Sequence, residues 1–273
     1  MPELPEVETV RRSLAPRLVG DVFAAVEVDF PGCVEGMSPE ELAERLCGRR
    51  VQRLDRMGKY LRFLLDDGSS LAVHLRMTGR LILQDGHALE RNPYTRAVFR
   101  FASGLALRFD DLRKFGRVMW FGDEASLKRR ISLGIDPFDP EFTPERLGGM
   151  LSGRKRPVKS FLLDQGHVAG LGNIYADESL FRAGIAPWRA ASSLSRDEVS
   201  RLHRAIREVL AEGIEHKGTS FRDYVDADGQ KGGFQERLRV YGREGMPCPS
   251  CGRAVQRIVL SGRSSFFCAG CQG

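Results

Sequence analysis

Four cysteines near the carboxyl terminus have the spacing of a metal site. Cys248-x-x-Cys251 and Cys268-x-x-Cys271 lie within the last 26 residues, and 16 residues separate the two pairs. Two such pairs allow four thiolates to meet at one tetrahedral ion, which is most often zinc. Redox pairs or disulfides are the alternatives. The segment 246–273 has few large apolar residues, so a bound zinc would supply much of its folding energy.

The amino terminus, Met-Pro-Glu-Leu-Pro-Glu, could supply a nucleophile. Removal of Met1 would expose Pro2 as a secondary amine, and an α-amine has a pKa of about 8, so a useful fraction of it is neutral. Attack by this amine on a sugar C1′ gives an iminium ion, which acts as an electron sink for elimination. Glu3 could transfer protons, and Glu6 lies in the first turn of a helix. The alternative is that these residues only suit a helix N-terminus.

Other candidate residues lie at strand ends and in loops, where side chains can reach a ligand. Lys59 is at a strand edge and Met77 ends a strand. Arg113 and Phe115 share a loop in which cations flank an aromatic residue. Asn173 follows Gly-Leu-Gly at a helix start, where backbone N–H groups could hold a phosphate. Each residue alone also has an ordinary interpretation, which for Lys59 is a surface lysine.

The basic residues are unevenly distributed along the 273 residues. Residues 1–150 contain 23 Lys and Arg against 23 Asp and Glu, so the whole net charge of +6 lies in residues 151–273. This asymmetry favours a polyanionic partner such as a nucleic acid, the alternative being a merely basic protein. The chain has no apolar run of the ~18–20 residues that a membrane crossing needs, and acidic residues near its start argue against a signal peptide.

The hydrophobic patterns predict three structural regions. A helix over 5–18 is followed by strands between 22 and 121, whose short length and glycine turns suggest a β-sandwich. Proline-rich sequence near 135 leads to a helical region and then to a glycine-rich, mobile loop over 218–245. Alternation predicts a hairpin of 254–260 and 263–268 at the second cysteine pair. The predicted helices after the first are 39–47, 144–151, 158–165, 172–183 and 196–216.

Seven separated motifs occur in order: the N-terminal nine residues, Lys59, Met77, Arg113–Gly116, Gly172–Glu178, Val240–Arg243, and the cysteine finger with Gly262–Phe266. With these motifs the chain resembles the formamidopyrimidine-DNA glycosylases, the bacterial 8-oxoguanine repair enzymes of the helix–two-turn–helix group. The resemblance covers essentially the whole sequence. It implies an α+β multidomain fold: an N-terminal catalytic β-sandwich with an N-terminal helix (1–135), a helix–two-turn–helix DNA-binding domain with a lesion-capping loop (136–236), and a C-terminal zinc-finger β-hairpin (237–273).

The resemblance also assigns catalytic roles. Pro2 resembles the Schiff-base nucleophile, and Glu3 the acid that protonates the sugar or base. Glu6 matches a second acid with a supporting role. Lys59 matches the proton donor in β-elimination, and Arg263 the finger arginine linked to δ-elimination and phosphate binding. The four cysteines would hold one structural zinc.

DNA-binding roles follow from the same resemblance. Met77, Arg113 and Phe115 match the side chains that fill the space left by a flipped nucleotide, since a base must leave the duplex before its glycosidic bond is reached. The loop 218–245 matches the segment that closes over the lesion. Phosphate contacts are expected from three further residues: Arg154, Lys159 and Asn173.

Two positions depart from the family pattern. Tyr94 stands where many members have a DNA-contacting histidine, and a tyrosine hydroxyl can reach a phosphate but carries no positive charge. Leu112 replaces a frequent proline, which would loosen the loop that carries Arg113.

The sequence therefore predicts a monomeric enzyme of the bacterial cytoplasm that acts on damaged double-stranded DNA and has no membrane partner. Its expected activity is excision of oxidised purines, namely 8-oxoguanine and formamidopyrimidines, followed by β,δ-elimination at the abasic site. Two alternatives stay open: an endonuclease VIII-like glycosylase for oxidised pyrimidines, and a non-catalytic zinc-ribbon protein that binds nucleic acid.

Overall fold

A computed structural model describes residues 1–221 and 223–273. The chain forms two compact units. The first contains Met1–Ser132 and His216–Gly233, and the second contains Leu133–Glu215 and Phe234–Gly273.

Among its described residues, the first unit contains three α-helices and nine strands. In chain order they are α1 Leu4–Leu18, β1 Phe23–Val28, β2 Val34–Glu35, α2 Pro39–Leu46, β3 Val51–Met57, β4 Tyr60–Leu65, β5 Ser70–His74, β6 Gly79–Asp85, β7 Thr95–Phe101, β8 Leu105–Asp111, β9 Arg117–Phe121 and α3 Glu124–Arg130.

These strands form two sheets, as the sequence predicted. One has the order β1-β7-β8-β6 and the other β2-β9-β5-β4-β3. All pairings are antiparallel except β2 with β9. Phe23 of the first sheet meets Phe63 of the second edge to face, with 6.4 Å between ring centroids. Val7, Val10 and Leu14 of α1 join the same buried core, so the N-terminal helix is fixed to the sandwich.

Local sequence signals, such as proline in the first turn and capping boxes, predict most helix starts correctly. α1 begins one residue before the predicted start, with Pro5 in its first turn. Ser38 and Glu41 form the expected capping box of α2. The sequence analysis missed α3, which is capped by Asp123 but buries one residue, Leu127. A helix with so little apolar surface leaves no periodic pattern.

The strand predicted to reach Met77 ends earlier, at His74. The chain then turns from one sheet to the other, and Arg76 adopts a left-handed conformation with φ 53°. The Gly79 N–H donates to the Leu75 carbonyl at 2.9 Å, and a Cβ at Gly79 would lie 2.3 Å from that oxygen. Met77 therefore lies in a tight inter-sheet turn, and the prediction that it ends a strand was wrong.

The second unit is helical, with a β-hairpin near the carboxyl terminus. Its elements are α4 Pro144–Leu151, α5 Val158–Leu162, α6 Asn173–Ala183, α7 Arg196–Glu215, β10 Gln256–Leu260 and β11 Arg263–Phe267. The helix predicted over 158–165 stops at Leu162, and the other helices and the hairpin are confirmed within two residues at each end.

The glycine-rich stretch 218–245 is a loop in the part of the chain that is described, apart from a short 3-10 helix at Phe234–Arg237. Its first part belongs to the first unit, where Tyr224 and Ala227 enter the sandwich core. The Leu83 N–H donates to the Ala227 carbonyl at 2.9 Å, which ties the loop to β6. In the described ranges no helix has the length and apolar character needed to span a membrane.

Candidate active site

The N-terminal residues are buried and held in place by the first turn of α1. Pro2 is buried, and Glu3 is 3% exposed. The Glu3 N–H donates to Glu6 Oε2 at 2.7 Å. This bond fixes the backbone directly after Pro2, so the proline nitrogen has a defined position.

Glu6 connects the amino terminus to the glycine-rich loop. Its second oxygen, Oε1, accepts the Thr219 N–H at 2.7 Å. Gly218 has φ +80°, and a Cβ there would lie 2.8 Å from the Glu6 side chain. Both carboxylate oxygens therefore accept backbone N–H groups, and the supporting role of Glu6 in catalysis stays a prediction.

Lys59 occupies the two-residue turn between β3 and β4. Met57 pairs with Tyr60, and Gly58 has φ 55°, a conformation suited to such a turn. The Lys59 side chain is 5% exposed, so the surface-lysine alternative is wrong. An ammonium group held in a buried position is suited to transferring a proton at a fixed point.

His74 ends β5 beside this turn and is held neutral. Its ring meets Tyr60 edge to face at 4.4 Å, and its Nδ1 accepts the Arg76 N–H at 2.9 Å. Burial lowers the pKa of His74 to about 3, and the positive charges of Arg76 and Lys59 lower it further. The sequence analysis did not identify this histidine, since its hydrogen bond to a left-handed residue leaves no sequence signal.

We expect this buried imidazole to make stability depend on pH. An unfolded histidine binds a proton below pH 6.5, whereas folded His74 stays neutral down to about pH 3. The stabilisation that comes from keeping His74 neutral should therefore be fully present above pH 6.5. The free energy of unfolding should fall as the pH drops toward 3, and this group should account for at most about 1.4 kcal/mol per pH unit. Denaturant titrations of wild type and His74→Asn between pH 4 and 7 measure the difference.

The control for this measurement is His87→Asn, which removes an exposed histidine. The His74→Asn variant should show the flatter pH dependence. Parallel stability curves for wild type and His74→Asn would contradict a neutral His74 in the folded protein.

Side chains from two separate turns come together on the surface, Met77 from one turn and Arg113 and Phe115 from the other. Arg113 Nη1 lies 3.0 Å from Met77 Sδ, and the Arg113 guanidinium is 4.9 Å from the centroid of the Phe115 ring. Met77 and Phe115 are 43% and 46% exposed, unusually high for large apolar side chains in one cluster. We call these three residues the wedge.

Tyr94 and Arg154 are also exposed, but in different units. Tyr94 precedes β7, and its N–H donates to Asn92 Oδ1 at 2.8 Å. Arg154 follows α4, and its carbonyl accepts the Ser192 N–H at 2.9 Å. Both side chains are accessible to a ligand, and their roles in DNA binding stay predictions.

Lys159 has a different environment from the one expected for a phosphate contact. Its side chain is 1% exposed, and Nζ lies 2.7 Å from Asp177 Oδ1. The ammonium also donates to the Ser264 carbonyl and to Ser265 Oγ, both at 2.8 Å. Because these contacts occupy the buried ammonium, Lys159 holds the hairpin in place, and its contact with a DNA phosphate stays a prediction.

Asp177 and Asn173 hold the same strand. Asp177 Oδ2 accepts the Phe266 N–H at 3.0 Å, and Asn173 Nδ2 donates to the Ser264 carbonyl at 3.0 Å. Burial raises the pKa of Asp177 to about 7, and the nearby Lys159 ammonium opposes this shift. Arg263 is exposed and is the first residue of β11, directly before Ser264. It follows a turn in which Ser261 and Gly262 both have positive φ.

Glu178 anchors the segment before the cysteine finger. Its carboxylate accepts the N–H groups of Arg239, Val240 and Tyr241, the last at 2.8 Å. Burial raises the pKa of Glu178, and these N–H groups oppose the shift. Sequence reasoning gave no role to Asp177 or Glu178. Their signal was two adjacent carboxylates in the middle of α6.

The four cysteines fit one zinc ion. Their Sγ atoms all lie within 4.8 Å of one another, with Cys248 and Cys271 3.8 Å apart and Cys251 and Cys268 3.4 Å apart. A tetrahedral site with Zn–S bonds of about 2.3 Å requires sulfurs about 3.8 Å apart. The donor set and its geometry therefore suit structural zinc, as the spacing predicted.

Three family models cover most of the chain. They are the formamidopyrimidine-DNA glycosylase N-terminal domain over residues 1–118, the H2TH domain of the same enzymes over 133–225, and a zinc finger found in FPG and IleRS over 245–273. The formamidopyrimidine-DNA glycosylase of Desulfitobacterium hafniense is 47% identical over 276 residues, covering 100% of both chains.

Solved structures agree with these matches. The MutM (Fpg) protein from Thermus thermophilus aligns with a TM-score of 0.89 at 43% identity, covering 99% of this chain and 98% of that one. The Lactococcus lactis Fpg in complex with DNA containing an abasic site gives 0.92 at 36% identity, covering 99% of each chain.

The fold and the four-cysteine site define a zinc-finger DNA repair glycosylase. This chain belongs to the formamidopyrimidine-DNA glycosylase family, with a β-sandwich, an H2TH domain and a structural zinc. Family membership removes the non-catalytic zinc-ribbon protein as an alternative. It also favours this family over the sister endonuclease VIII-like group.

Proposed function

We propose that this protein excises oxidised purines from duplex DNA through a Schiff base on Pro2 and then cleaves the abasic site by β,δ-elimination. The observation that carries the proposal is the buried N-terminus, in which the Glu3 N–H is fixed by Glu6 at 2.7 Å. A nucleophile attached to this backbone is held at one point, and such positioning is a large part of the rate enhancement in enzymes.

The chemistry needs an amine, an acid and a second proton donor. After Met1 is removed, the Pro2 nitrogen attacks C1′ and loses its proton, the bond from C1′ to the base breaks, and Glu3 supplies a proton to the departing base or the sugar. The C1′–O4′ bond of the sugar then breaks, O4′ takes up a proton, and C1′ becomes the carbon of an iminium ion. Loss of a C2′ proton to solvent breaks the C3′–O bond and releases the 3′ phosphate, with Lys59 as proton donor. Loss of the C4′ proton in a second elimination, assisted by Arg263, breaks the C5′–O bond and releases the 5′ phosphate. Water then releases the sugar fragment and restores Pro2.

The proposed DNA contacts divide between the two units. In the first, the wedge fills the space of the flipped nucleotide and Tyr94 reaches a phosphate. The loop 218–245, whose first part belongs to this unit, closes over the lesion. In the second, Arg154, Asn173 and Arg263 contact phosphates. The Lactococcus lactis relatives are complexes with DNA that contains an abasic site or Fapy-dG, which supports damaged duplex as the partner. We further propose a monomer in the bacterial cytoplasm.

A panel of duplexes tests the substrate class. Each duplex carries one lesion (8-oxoguanine, a formamidopyrimidine or an oxidised pyrimidine) opposite one of the four normal bases. Base release and strand cleavage are measured separately. Faster release of the purine lesions supports the proposal, and a preference for oxidised pyrimidines contradicts it.

Phe115→Ala should weaken base excision selectively. Stacking of an aromatic side chain on a base contributes about 1–3 kcal/mol, so the flipped state should become less populated without Phe115. Excision of a lesion from duplex DNA should fall about 5- to 150-fold, whereas cleavage at a preformed abasic site should fall less. The zinc content should not change.

Leu112→Ala is the matched control for Phe115→Ala. Leu112 is an exposed apolar residue of the same turn, 52% accessible, and lies outside the wedge. Its removal should leave both activities close to wild type. Equal losses of the two activities in Phe115→Ala would show that Phe115 only packs.

A further inference from the structure

We propose that Asp111, acting through Thr78, is the positioning residue that sets the geometry of the wedge. This inference rests on the proposed role of the wedge in base flipping. Asp111 is the last residue of β8 and is 1% exposed, although it is a carboxylate. A buried carboxylate is costly unless hydrogen bonds satisfy it, so its partners indicate what it does.

The partners of Asp111 belong to both segments that carry the wedge. Oδ1 accepts the Thr78 hydroxyl at 2.5 Å and the Arg113 N–H at 3.2 Å, and Oδ2 accepts the Gly116 N–H at 2.7 Å. Thr78 Oγ1 in turn accepts the Arg113 N–H at 3.0 Å. Thr78 follows Met77, and Gly116 follows Phe115. One side-chain pair therefore fixes the backbone at or next to all three wedge residues.

The wedge turn has a backbone shape that needs such support. Lys114, between Arg113 and Phe115, has φ 60°, which is unfavourable for a residue with a side chain. A Cβ at Gly116 would lie 2.4 Å from Phe109 Cζ and 3.1 Å from Asp111 Oδ2, so the chain passes too close to the sheet for any other residue. The hydrogen bonds to Asp111 hold the turn in this position.

Asp111 is itself fixed by its backbone. Its N–H donates to the Tyr94 carbonyl at 2.8 Å, and its carbonyl accepts Arg96 Nε at 2.8 Å. The preceding residue, Asp110, makes separate contacts: its carboxylate accepts Asn92 Nδ2 at 2.8 Å and the Thr95 hydroxyl at 3.0 Å. Successive side chains of a strand point to opposite faces, so the two adjacent carboxylates hold different loops.

The exposed wedge side chains are ordered by the hydrogen bonds that hold the backbone below them. Met77 and Phe115 are close to half exposed, so packing around them does little to fix their positions. Insertion into DNA is favoured when the inserted groups are already ordered, because less conformational freedom is lost on binding. The Asp111–Thr78 pair supplies this order without contacting DNA, which makes both of them positioning residues.

Thr78→Val is the sharpest test. Valine has nearly the shape of threonine but lacks the hydroxyl that links Asp111 to Arg113, and Thr78→Ser keeps that hydroxyl. Base excision from a lesion duplex should fall about tenfold in Thr78→Val, as expected for a lost buried hydrogen-bond pair. Cleavage at a preformed abasic site should fall less, and Thr78→Ser should restore excision. A fluorescent base analogue beside the lesion, whose signal reports unstacking, should show reduced insertion in Thr78→Val but not in Thr78→Ser.

Asp111→Asn provides a second variant, and Asp110→Asn is its control one residue away. Asn at 111 replaces one acceptor with a donor facing the Gly116 N–H or the Thr78 hydroxyl, so insertion should fall at least as much as in Thr78→Val. Asp110→Asn removes a buried carboxylate that holds another loop, so its insertion signal should resemble that of wild type. Thermal unfolding of every variant separates loss of fold from loss of insertion.

The outcomes distinguish the two proposals. Selective loss in both Phe115→Ala and Thr78→Val supports the positioning role. Selective loss in Phe115→Ala with a normal insertion signal in both Thr78→Val and Asp111→Asn overturns the positioning role and leaves the wedge intact. Equal losses on both substrates in Thr78→Val, without rescue by serine, also overturn it. No selective loss in Phe115→Ala contradicts the wedge itself.

Discussion

A protein that retains Met1, or that carries any N-terminal extension, should bind lesion-containing duplex and fail to excise the base. Its nitrogen at Pro2 is then an amide, which has no nucleophilic lone pair. Borohydride, which reduces an iminium to a stable amine, should trap a protein–DNA adduct with the processed enzyme and none with the extended one. We expect the loss of base excision to be complete within the sensitivity of the assay.

The structure shows why the extended protein is a fair test. Pro2 is buried, but Met1 is exposed, so additional residues before it would continue into solvent and leave the fold intact. The Glu3 N–H to Glu6 bond does not involve the proline nitrogen and should persist. Loss of activity would therefore report the chemistry of the amine, and an unchanged thermal unfolding temperature would verify the fold.

Two variants distinguish the role of the Pro2 amine from the roles of Glu3 and Lys59. Glu3→Gln should bind DNA and lose base excision by about 10²–10⁴-fold, because the leaving group lacks its proton donor. Lys59→Met should still be trapped by borohydride, because the nucleophile is elsewhere. An adduct that maps to Lys59, or normal excision by the extended protein, would overturn the assignment of Pro2.

Cys248→Ser should remove the bound zinc and disorder the hairpin that carries Arg263. The small core of this region, with Phe181, Val240 and Val255, has too little apolar surface to fold it alone. Binding of a structural zinc contributes about 10–16 kcal/mol in isolated fingers, so its loss is decisive. We expect less than stoichiometric metal and an affinity for duplex DNA at least about tenfold lower.

Cys47→Ser is the matched control for the zinc variant. Cys47 is an exposed cysteine directly after α2 in the first unit, outside the four-sulfur cluster. Its substitution should leave one zinc per chain and full DNA binding. One zinc per chain together with wild-type DNA affinity in Cys248→Ser would refute the structural role of the metal.

The zinc variant should also disturb the buried contacts behind the hairpin. Lys159 and Asp177 satisfy each other and bond the strand 264–266. Without an ordered strand, the Lys159 ammonium and the Asp177 carboxylate lose partners at a buried site, which adds to the destabilisation. Faster amide hydrogen exchange in α5 and α6 of Cys248→Ser would reveal this coupling.

Features that depend on local spacing could be predicted from the amino-acid sequence alone. The zinc site follows from the separations of four cysteines, because each Cys-x-x-Cys pair closes on the ion within one turn. The sandwich and the helices follow from hydrophobic periods of two and about 3.6 residues, which are properties of neighbouring positions. The N-terminal motif and the resemblance to the family were likewise evident from the amino-acid sequence.

Tertiary structure decided which charged groups are buried and what each of them holds. Lys159 is buried and bonds to Ser264, and Glu6 bonds to Thr219, which are contacts that the sequence analysis did not predict. The wedge joins Met77 to Arg113, 36 positions later in the chain. Contacts of this kind leave no periodic or spacing signal, because the fold, and not the local sequence, brings the partners within hydrogen-bond distance.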